Sequence, residues 1–347
     1  MSIHSKTPTR KLTNVLVTGG AGFIGSAFVR AAVGEHWFPG KVVVLDALTY
    51  AGNFENIADF ADALTFIHGD ICDADMVEKT ISTHQIDTVV HFAAESHVDR
   101  SILGPMVFTR TNVLGTHTLL EMSRRLGVRL FLHISTDEVY GSLGEEGSFT
   151  ELSPLNPTSP YAASKAAADL MVLAYARTYG FPAIVTRCSN NYGPYQFPEK
   201  LIPLMIIHAL RGMELPVYGD GMNIRDWIHT RDHVGALRCI LSSGREGEIY
   251  NIGGGNQRRN IDIVRAILRY LGKPESLVRF VSDRPGHDRR YAVDSAKLAS
   301  ELGWRPVVPF EEGLRETIEW YVRNEPWWRR VMDGEYQEYY TRQYLKR

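Results

Sequence analysis

A glycine-rich loop stands between the first apolar run of this chain and the helical pattern that follows it. The segment reads VLVTGGAGFIGSAFVRAAV and places Gly19, Gly22 and Gly25 in the loop. Glycines here let the backbone turn sharply and approach a pyrophosphate held at the helix N-terminus. Glycines also serve plain turns, but the order of strand, loop and helix favours a dinucleotide site. This segment constrains the fold more than any other.

The second apolar run, KVVVLDALTY, ends in an acidic residue, Asp46, which lies about 20 residues beyond Gly25. That spacing fits the carboxylate that binds an adenosine ribose 2′-hydroxyl. A carboxylate there repels a 2′-phosphate, so NAD is favoured over NADP. After the third run, GDICD puts Asp70 and Ile71 where an adenine edge could rest. The alternative for Asp46 is a plain turn cap.

Short apolar runs alternate with amphipathic segments through the first half of the chain. The runs are NVLVTG, KVVVLD, LTFIHGD, DTVVHFAA, LFLHIST and AIVTR. Because they are almost continuously apolar, they predict strands buried on both faces of a parallel sheet. The predicted class is α/β: a Rossmann-type doubly wound parallel sheet with a smaller mixed α/β substrate-binding lobe.

The length of 347 residues allows two domains or one elaborated α/β domain. After Arg187 the alternation loosens into CSNNYGPYQFPEK. We therefore predict an NAD-binding domain at 1–187 and a mainly substrate-binding lobe with the C-terminal tail at 188–347, with later segments returning to the sheet. The polar start MSIHSKTPTRK predicts a short disordered tail, and NEPWWRRVMDGEYQEYYTRQYLKR a solvated, partly packed C-terminus.

Composition and charge exclude several classes of partner. The formal net charge is −2 and the basic residues are scattered, which argues against nucleic acid. Cys72, Cys188 and Cys239 show no CxxC spacing, which favours a reducing compartment. The sequence shows no signal peptide and no run of about 18 apolar residues, so we expect a cytoplasmic protein without a membrane partner.

The segment SPYAASKAAADLMVLAYA places Tyr161 and Lys165 four residues apart on a predicted helix. Side chains at i and i+4 share one helix face, so the ammonium could lower the pKa of the phenol from its usual value near 10. A tyrosinate could then take a proton from a sugar hydroxyl. The alternative is a surface tyrosine stacked on a lysine stem.

Two adjacent acids, Asp137 and Glu138, follow a buried strand in ISTDEVYGS. Eliminating water next to a carbonyl needs a base for the C–H and an acid for the departing hydroxyl, and two carboxyl groups in different environments can divide these tasks. Neighbouring side chains of a strand point to opposite faces. Both acids can therefore reach one substrate only if the chain turns near Thr136.

The GxxGxxG spacing together with the Tyr/Lys pair resembles the extended branch of the short-chain dehydrogenase superfamily. Over about residues 13–323 the chain resembles the dTDP-glucose 4,6-dehydratases, in the segments STDEVYG, YAASK, HFAAESHVDRS, SNNYGPYQFPEKLIPL, GDGMNIRDWIH and DRPGHDRRYAVD. Sister epimerases and decarboxylases share the glycines and the Tyr/Lys pair but lack the adjacent Asp and Glu. TDE is therefore the most specific signal in the sequence.

The resemblance implies a role for each catalytic residue. Tyr161, assisted by Lys165, would deprotonate the glucose 4-hydroxyl while NAD accepts the C4 hydride, and Thr136 would hydrogen-bond the same oxygen. Glu138 would remove the C5 proton and Asp137 would protonate the leaving C6 hydroxyl. Return of the hydride to C6 would give a 4-keto-6-deoxy sugar.

The resemblance also implies two binding sets and a homodimer through helices near 104–126 and 158–179. Independent physical support exists for two arginines, which suit bidentate phosphate binding, and for one tyrosine, which suits base contacts: Arg225, Arg284 and Tyr218. The NAD set is Gly19, Gly22, Phe23, Ile24, Gly25, Asp46, Leu48, Thr49, Asp70, Ile71, Ala93, Ala94, Ser96, Thr111, Tyr161, Lys165 and Asn191. The substrate set is Ser96, Thr136, Asn190, Lys200, Leu201, Pro216, Val217, Tyr218, Arg225, Asn260, Arg284 and His287.

An HxxxH pair, His229 and His233, has the spacing of a helical zinc site. The intervening residues lack the glutamate of a metalloprotease motif and the sequence offers no third ligand, so we predict a structural role and no metal. The resembled family usually has a tyrosine or another large residue at position 229. Because of this departure, the sequence does not define the local packing at position 229, but the predicted chemistry is unaffected.

Three alternatives to a dTDP-glucose 4,6-dehydratase remain. TDE indicates the chemistry and not the nucleotide base, so a UDP-glucose 4,6-dehydratase is an alternative of the same class. A nucleotide-sugar 4-epimerase shares the fold but needs no C5 or C6 chemistry. A noncatalytic NAD-binding regulator would not need the four residues Tyr161, Lys165, Asp137 and Glu138.

Overall fold

The computed structural model describes residues 10–332, so the predicted N-terminal tail lies mostly, and the C-terminal tail partly, outside the described residues. Within that range the strands, in chain order, are β1 (Val15–Thr18), β2 (Val42–Asp46), β3 (Thr65–His68), β4 (Thr88–His91), β5 (Leu130–Thr136), β6 (Ala183–Cys188), β7 (Asn190–Tyr192), β8 (Leu215–Tyr218), β9 (Ile224–His229), β10 (Ile249–Ile252), β11 (Gln257–Arg259) and β12 (Val278–Val281).

The α-helices of the same range are α1 (Phe23–Gly34), α2 (Ala74–His84), α3 (Val98–Leu103), α4 (Pro105–Phe108), α5 (Thr116–Arg125), α6 (Pro160–Tyr179), α7 (Leu201–Arg211), α8 (Thr230–Ser243), α9 (Asn260–Tyr270), α10 (Ala296–Leu302), α11 (Phe310–Arg323) and α12 (Glu325–Val331). A π-helix, Thr109–Gly115, joins α4 to α5. Short 3₁₀-helices occur at Phe54–Asn56, Ala58–Ala63, Asp137–Tyr140 and Glu275–Leu277.

Seven parallel strands form the main sheet in the order β10-β6-β5-β4-β1-β2-β3. All residues of β1 and β2 are buried, because helices cover both faces. Val15 and Val17 belong to one hydrophobic core and Leu16 to a second, as the alternation of side chains along a strand requires. The predicted Rossmann-type doubly wound sheet is confirmed.

One strand of the main sheet comes from late in the chain. Ile249–Ile252 runs parallel to Val185–Cys188 and extends the sheet beyond β6. Helix α10 packs against this added strand. The second half of the sequence therefore contributes a strand directly to the main parallel sheet.

The smaller lobe contains two short sheets and a core of its own. Strands β11, β9 and β7 form a mixed sheet, and β12 pairs with β8. Helices α7, α9 and α11 bury their apolar faces together in this lobe. The predicted smaller mixed α/β lobe is confirmed.

The order of the strands determines where a ligand can bind. The connection from β1 leads to β2 on one side, whereas β4 lies on the other side of β1. Such a reversal opens a crevice at the carboxyl ends of the strands, which is the usual ligand site of open α/β sheets. In residues 10–332, no helix is long and apolar enough to cross a membrane.

Candidate active site

The glycine loop has a geometry that larger residues could not adopt. Gly19 has a φ of +70°, and a Cβ there would lie 2.5 Å from the Ala93 nitrogen. A Cβ on Gly25 would lie 2.1 Å from the Gly19 carbonyl oxygen. Gly22 is the N-cap of α1, and it has no side chain that could accept hydrogen bonds from the free N–H groups at the start of this helix. The loop and helix therefore leave backbone donors for an anion such as a pyrophosphate.

Asp46 ends β2 and is bound to the glycine loop. Its Oδ2 accepts a hydrogen bond of 2.8 Å from the Ala21 nitrogen, and its Oδ1 accepts one of 2.9 Å from the Leu48 nitrogen. Burial raises the pKa of this carboxyl. Because each carboxylate oxygen has a second lone pair and Asp46 lines the cavity described next, it can also accept from a ribose hydroxyl.

A cavity of about 310 Å³ lies at the carboxyl ends of the strands and collects most of the predicted NAD set. Every member of that set lines it except Leu48, whose backbone nitrogen binds Asp46 instead. Of the predicted substrate set, four residues line this cavity: Ser96, Thr136, Asn190 and Lys200. Glu95, Gln196, Phe197 and Glu199 also line it and were not predicted.

The chain turns immediately after Thr136, as the adjacent acids require. Thr136 ends β5 and caps the 3₁₀-helix Asp137–Tyr140, its hydroxyl oxygen accepting a hydrogen bond of 3.3 Å from the Glu138 nitrogen. Asp137 and Glu138 consequently line the same cavity instead of pointing to opposite faces of the sheet. The predicted turn is confirmed.

Asp137 has an environment that favours its protonated form. Among the described residues, its Oδ2 has no hydrogen-bond partner, and its Oδ1 accepts from the Thr136 hydroxyl at 3.3 Å. Burial raises the pKa of Asp137 well above its usual value, and the nearby Glu138 and Asp226 carboxyl groups raise it further. A neutral carboxylic acid at this position can donate a proton.

Glu138 differs from Asp137 in the charges around it. Burial raises the pKa of Glu138 as well, but three cations oppose that shift: Arg284, Lys200 and Arg225. The charged form of Glu138 is thus favoured relative to that of Asp137. Two neighbouring carboxyl groups whose pKa values are pushed apart suit the roles of base and acid.

Tyr161 and Lys165 both line the cavity, but the Lys165 ammonium hydrogen-bonds a backbone carbonyl and not the Tyr161 phenol. Its Nζ donates a hydrogen bond of 2.8 Å to the Ile134 carbonyl oxygen of β5, and burial lowers its pKa to about 8. Burial raises the pKa of Tyr161 well above 10, opposite to the predicted lowering. The physical reason is that desolvation of the phenolate, reinforced by the Glu138 charge, exceeds the effect of a cation bound to a strand carbonyl.

A second cluster of polar residues joins the two lobes beside the acids. The Tyr218 hydroxyl donates to Oδ2 of Asp99 at 2.9 Å, and Nη1 of Arg284 lies 3.2 Å from Oδ1 of the same carboxylate. Lys200 donates at 2.9 Å to the Ser96 carbonyl oxygen. Asp99 was not predicted as a site residue, although it lies within the motif HFAAESHVDRS.

The remaining predicted substrate residues lie outside the wall of the cavity. Arg225 donates at 2.9 Å to the Asp288 carbonyl oxygen and lies over the Tyr291 ring. The other positions are the start of α7 for Leu201, strand β8 for Pro216 and Val217, the start of α9 for Asn260, and a contact of 2.6 Å with Asp283 for His287. Asn260 Oδ1 is buried without a hydrogen-bond partner among the described residues.

The two histidines of the HxxxH pair make local contacts. His233 Nδ1 lies 2.9 Å from Oδ1 of Asn191, and the ring of His229 packs edge-on against Tyr192. Burial lowers the pKa of His229 to about 4 and that of His233 to about 3, so both rings are neutral. Residues 10–332 contain no group of three His, Cys, Asp or Glu side chains arranged to hold a metal ion.

Comparisons with known proteins agree with this geometry. A family model described as GDP-mannose 4,6 dehydratase matches residues 16–317. A dTDP-glucose 4,6-dehydratase of Xanthomonas campestris pv. campestris is 54% identical, over 92% of this chain and 96% of that protein. A dTDP-glucose 4,6-dehydratase from Streptomyces venezuelae, solved with NAD bound, is 52% identical with a TM-score of 0.90, covering 92% of this chain and 100% of its own.

The fold is also shared with nucleotide-sugar epimerases. A UDP-glucose 4-epimerase from Thermus thermophilus, solved as a complex with NAD, is 33% identical with a TM-score of 0.84, over 90% of this chain and 100% of its own. The higher sequence identities are to dehydratases. The chain therefore belongs to the GDP-mannose 4,6 dehydratase family and, within it, to the dTDP-glucose 4,6-dehydratases.

Proposed function

We propose that this protein is an NAD-dependent hydro-lyase that converts dTDP-glucose to dTDP-4-keto-6-deoxyglucose. The observation that carries the proposal is the pair of acids on one cavity wall, in which Asp137 is protonated more readily than Glu138. An oxidation at C4 alone would need only Tyr161 and Lys165. The pair supplies the base and the acid that removal of water requires.

The residues of the glycine loop fit NAD. A Cβ on Gly19 or Gly25 would fill the space between the loop and its neighbours, and Asp46 lines the cavity at the end of β2. The residues that would hold the cofactor are the predicted NAD set, with Leu48 acting through Asp46. When bound, NAD supplies reversible two-electron oxidation at the sugar carbons.

Tyr161 would take the proton of the glucose 4-hydroxyl as C4 is oxidised. Thr136 would hold the same oxygen, as the resemblance to the dehydratases implies, and its hydroxyl lies close enough to the Tyr161 phenol to lower the pKa of that phenol. Burial opposes ionisation of this phenol, so Lys165, on the same face of α6, would provide the positive charge that favours proton transfer. The acids act on the ketone that follows.

Glu138 would remove the C5 proton, which the new C4 carbonyl acidifies. Asp137 would donate its proton to the C6 hydroxyl, which leaves as water. After C6 is reduced, a proton returns to C5 and the 4-keto-6-deoxy sugar is complete. Breaking the C5–H bond leaves a proton on Glu138, and breaking the C6–O bond releases the hydroxyl as water.

Lys200, Arg284 and Arg225 would bind the diphosphate. All three lower the pKa of Glu138, which places their charges close to the acid pair. Tyr218, held by Asp99, would contact the base. We propose thymine as that base because dehydratases that are 52–54% identical to this chain are named for dTDP-glucose.

Incubation of the purified protein with dTDP-glucose and, separately, UDP-glucose tests both the reaction and the base. Mass spectrometry should show loss of one water from dTDP-glucose, and in D₂O the product should gain deuterium at C5. Faster dehydration of UDP-glucose would assign the other base. A product of unchanged mass with inverted C4 and no C5 deuterium would indicate a 4-epimerase, and no reaction with either sugar would overturn the proposal.

We also propose that the protein is a cytoplasmic homodimer. Three apolar side chains on α4, the π-helix and α6 are more than half exposed: Met106, Leu114 and Leu170. These three elements contact one another, so their exposed apolar side chains would suit contact with a second copy of the chain. Light scattering after size-exclusion chromatography should give twice the mass of the chain, and Leu170→Glu should reduce the measured mass to that of one chain.

The proposed cytoplasmic location is supported by the cysteines. Free thiols at Cys72, Cys188 and Cys239 suit a reducing compartment.

The division of labour along the chain follows from the same site. We propose that residues 1–187 mainly bind NAD and that 188–347 mainly bind the nucleotide sugar. The placement of Tyr218, Arg225 and Arg284 in the second part supports this division. Strand β10 is the exception, since it completes the main sheet.

A further inference from the structure

The carbonyl of Ala21, in the middle of the glycine loop, is held by the 3₁₀-helix Phe54–Asn56 and its N-cap residue, Asn53. Its oxygen accepts hydrogen bonds of 3.1 Å from the Asn53 nitrogen and 2.9 Å from Asn56 Nδ2. Asn56 is only 3% exposed, so water does not compete for this contact. The side chain of Asn56 therefore helps to fix the backbone between Gly20 and Gly22.

The other end of the Asn56 amide is held by a residue near the end of the described chain. Oδ1 of Asn56 accepts a hydrogen bond of 3.0 Å from Nε1 of Trp327, which lies on α12. An indole nitrogen is only a donor, so the amide oxygen must face Trp327 and the amide nitrogen must face Ala21. Trp327 is itself fixed by ring contacts with Trp320 and Tyr195.

The series of hydrogen bonds continues to Asp46. The Ala21 nitrogen donates at 2.8 Å to Oδ2 of this carboxylate. A continuous path of three hydrogen bonds therefore runs from Trp327 through Asn56 and Ala21 to Asp46. Neither Trp327 nor Asn56 lines the cavity, so their effect on a ligand is indirect.

We infer that Asn56 and Trp327 are positioning residues for the dinucleotide: they hold the glycine loop and, through Ala21, the Asp46 carboxylate in the conformation that binds NAD. The inference rests on the proposed NAD site. Helix α12, in the last part of the described chain, thus contributes to the glycine loop and to Asp46, which lie in the first fifty residues. A structural role alone would affect stability, whereas a positioning role also affects NAD affinity.

The chain offers a matched pair of variants, Trp327→Phe and Trp328→Phe. Both tryptophans are buried on α12, and Nε1 of Trp328 donates at 2.9 Å to the Tyr321 carbonyl oxygen, away from the loop. Each variant keeps a ring and removes one buried N–H. Calorimetric titration of the full-length protein with NAD, after bound nucleotide is removed, should show about three- to tenfold weaker binding for Trp327→Phe, the loss typical of one hydrogen bond. Trp328→Phe should bind like the wild type.

A second variant, Asn56→Asp, separates the two ends of the amide. The aspartate keeps an acceptor for Trp327 but has no donor for the Ala21 carbonyl, so NAD binding should weaken at least as much as in Trp327→Phe. The KM for dTDP-glucose at saturating NAD should stay within twofold of the wild-type value in Trp327→Phe. If Asn56→Asp does not fold, the tryptophan pair decides.

The outcomes distinguish this inference from the proposed function. Wild-type NAD affinity in Trp327→Phe, or equal weakening in Trp327→Phe and Trp328→Phe, would overturn the inference and leave the function intact. Failure of the wild-type protein to bind NAD would overturn both. Thermal unfolding should show similarly small decreases in stability for Trp327→Phe and Trp328→Phe. A difference between their NAD affinities would therefore not result from a difference in stability.

Discussion

Arg284 forms an ion pair with Asp99 across 185 residues of sequence, with 3.2 Å between Nη1 and Oδ1. Asp99 is 2% exposed and also accepts the Tyr218 hydroxyl, so one buried carboxylate orients a candidate phosphate ligand and a candidate base contact. Asp99→Asn keeps an acceptor but removes the charge. We expect the KM for dTDP-glucose to rise by about tenfold to a hundredfold, as for a hydrogen bond to a charged group, with kcat changed much less.

The control for Asp99 is Glu214→Gln, which removes a surface ion pair with Arg279 in the same lobe. Exposed pairs contribute little to stability, so this variant should behave as the wild type. Steady-state kinetics of both variants check the prediction. An unchanged KM in Asp99→Asn would show that Arg284 does not need its buried partner.

The two acids should fail at different steps. Glu138→Gln should abolish deuterium uptake at C5 from D₂O, because no base removes that proton. Asp137→Asn should still exchange the C5 proton but lose water about 10²- to 10⁴-fold more slowly, the usual contribution of a positioned acid. Quenched samples analysed by mass spectrometry separate exchange from dehydration. The same defect in both variants would contradict the assigned roles.

The pH dependence of kcat/KM, which reports ionisations of the free enzyme, should reflect the raised pKa of Glu138. A base must be ionised to act, so the rate should fall as pH decreases through this pKa, at a higher pH than an ordinary glutamate near 4.3 would give. Lys200→Met removes a cation that lowers the pKa of Glu138 and should move the acidic limb of the profile to still higher pH. Lys79→Met, on the exposed face of α2, should leave the limb in place.

The buried His233 should make stability fall in acid. Its pKa is about 3 in the folded protein and near 6.5 when unfolded, so the unfolded state binds the extra proton between these values. Its contribution is complete above pH 6.5 and decreases by about 1.4 kcal/mol per pH unit below it. The free energy of unfolding of His233→Gln, measured by urea denaturation, should therefore depend less steeply on pH between pH 4 and 6 than that of the wild type.

The strands and the glycine loop could be predicted because their signals are local. Each of the first six strands is a short apolar run, and Gly19, Gly22 and Gly25 mark the turn between β1 and α1. The turn after Thr136 also followed from local logic, since two adjacent acids cannot share a face within a strand. The period of apolar residues and the spacing of motif residues are sufficient to predict a structure where neighbours in sequence are also neighbours in space.

Other parts of the site depend on contacts between distant residues. Helical spacing puts Tyr161 and Lys165 on one face, but it does not reveal that the Ile134 carbonyl binds the ammonium. Nor does it reveal that burial controls the pKa of the phenol. Asp99 was missed for the same reason, because its partners Tyr218 and Arg284 come from the far half of the chain.

The late origin of β10 has a consequence for how the nascent chain folds. On the ribosome, β6 is made before β10, and its free edge must wait for Ile249–Ile252. At about 5–20 residues per second, that interval lasts several seconds. Unpaired strand edges promote aggregation, so β6 is the segment that a chaperone would have to shield until translation passes residue 252.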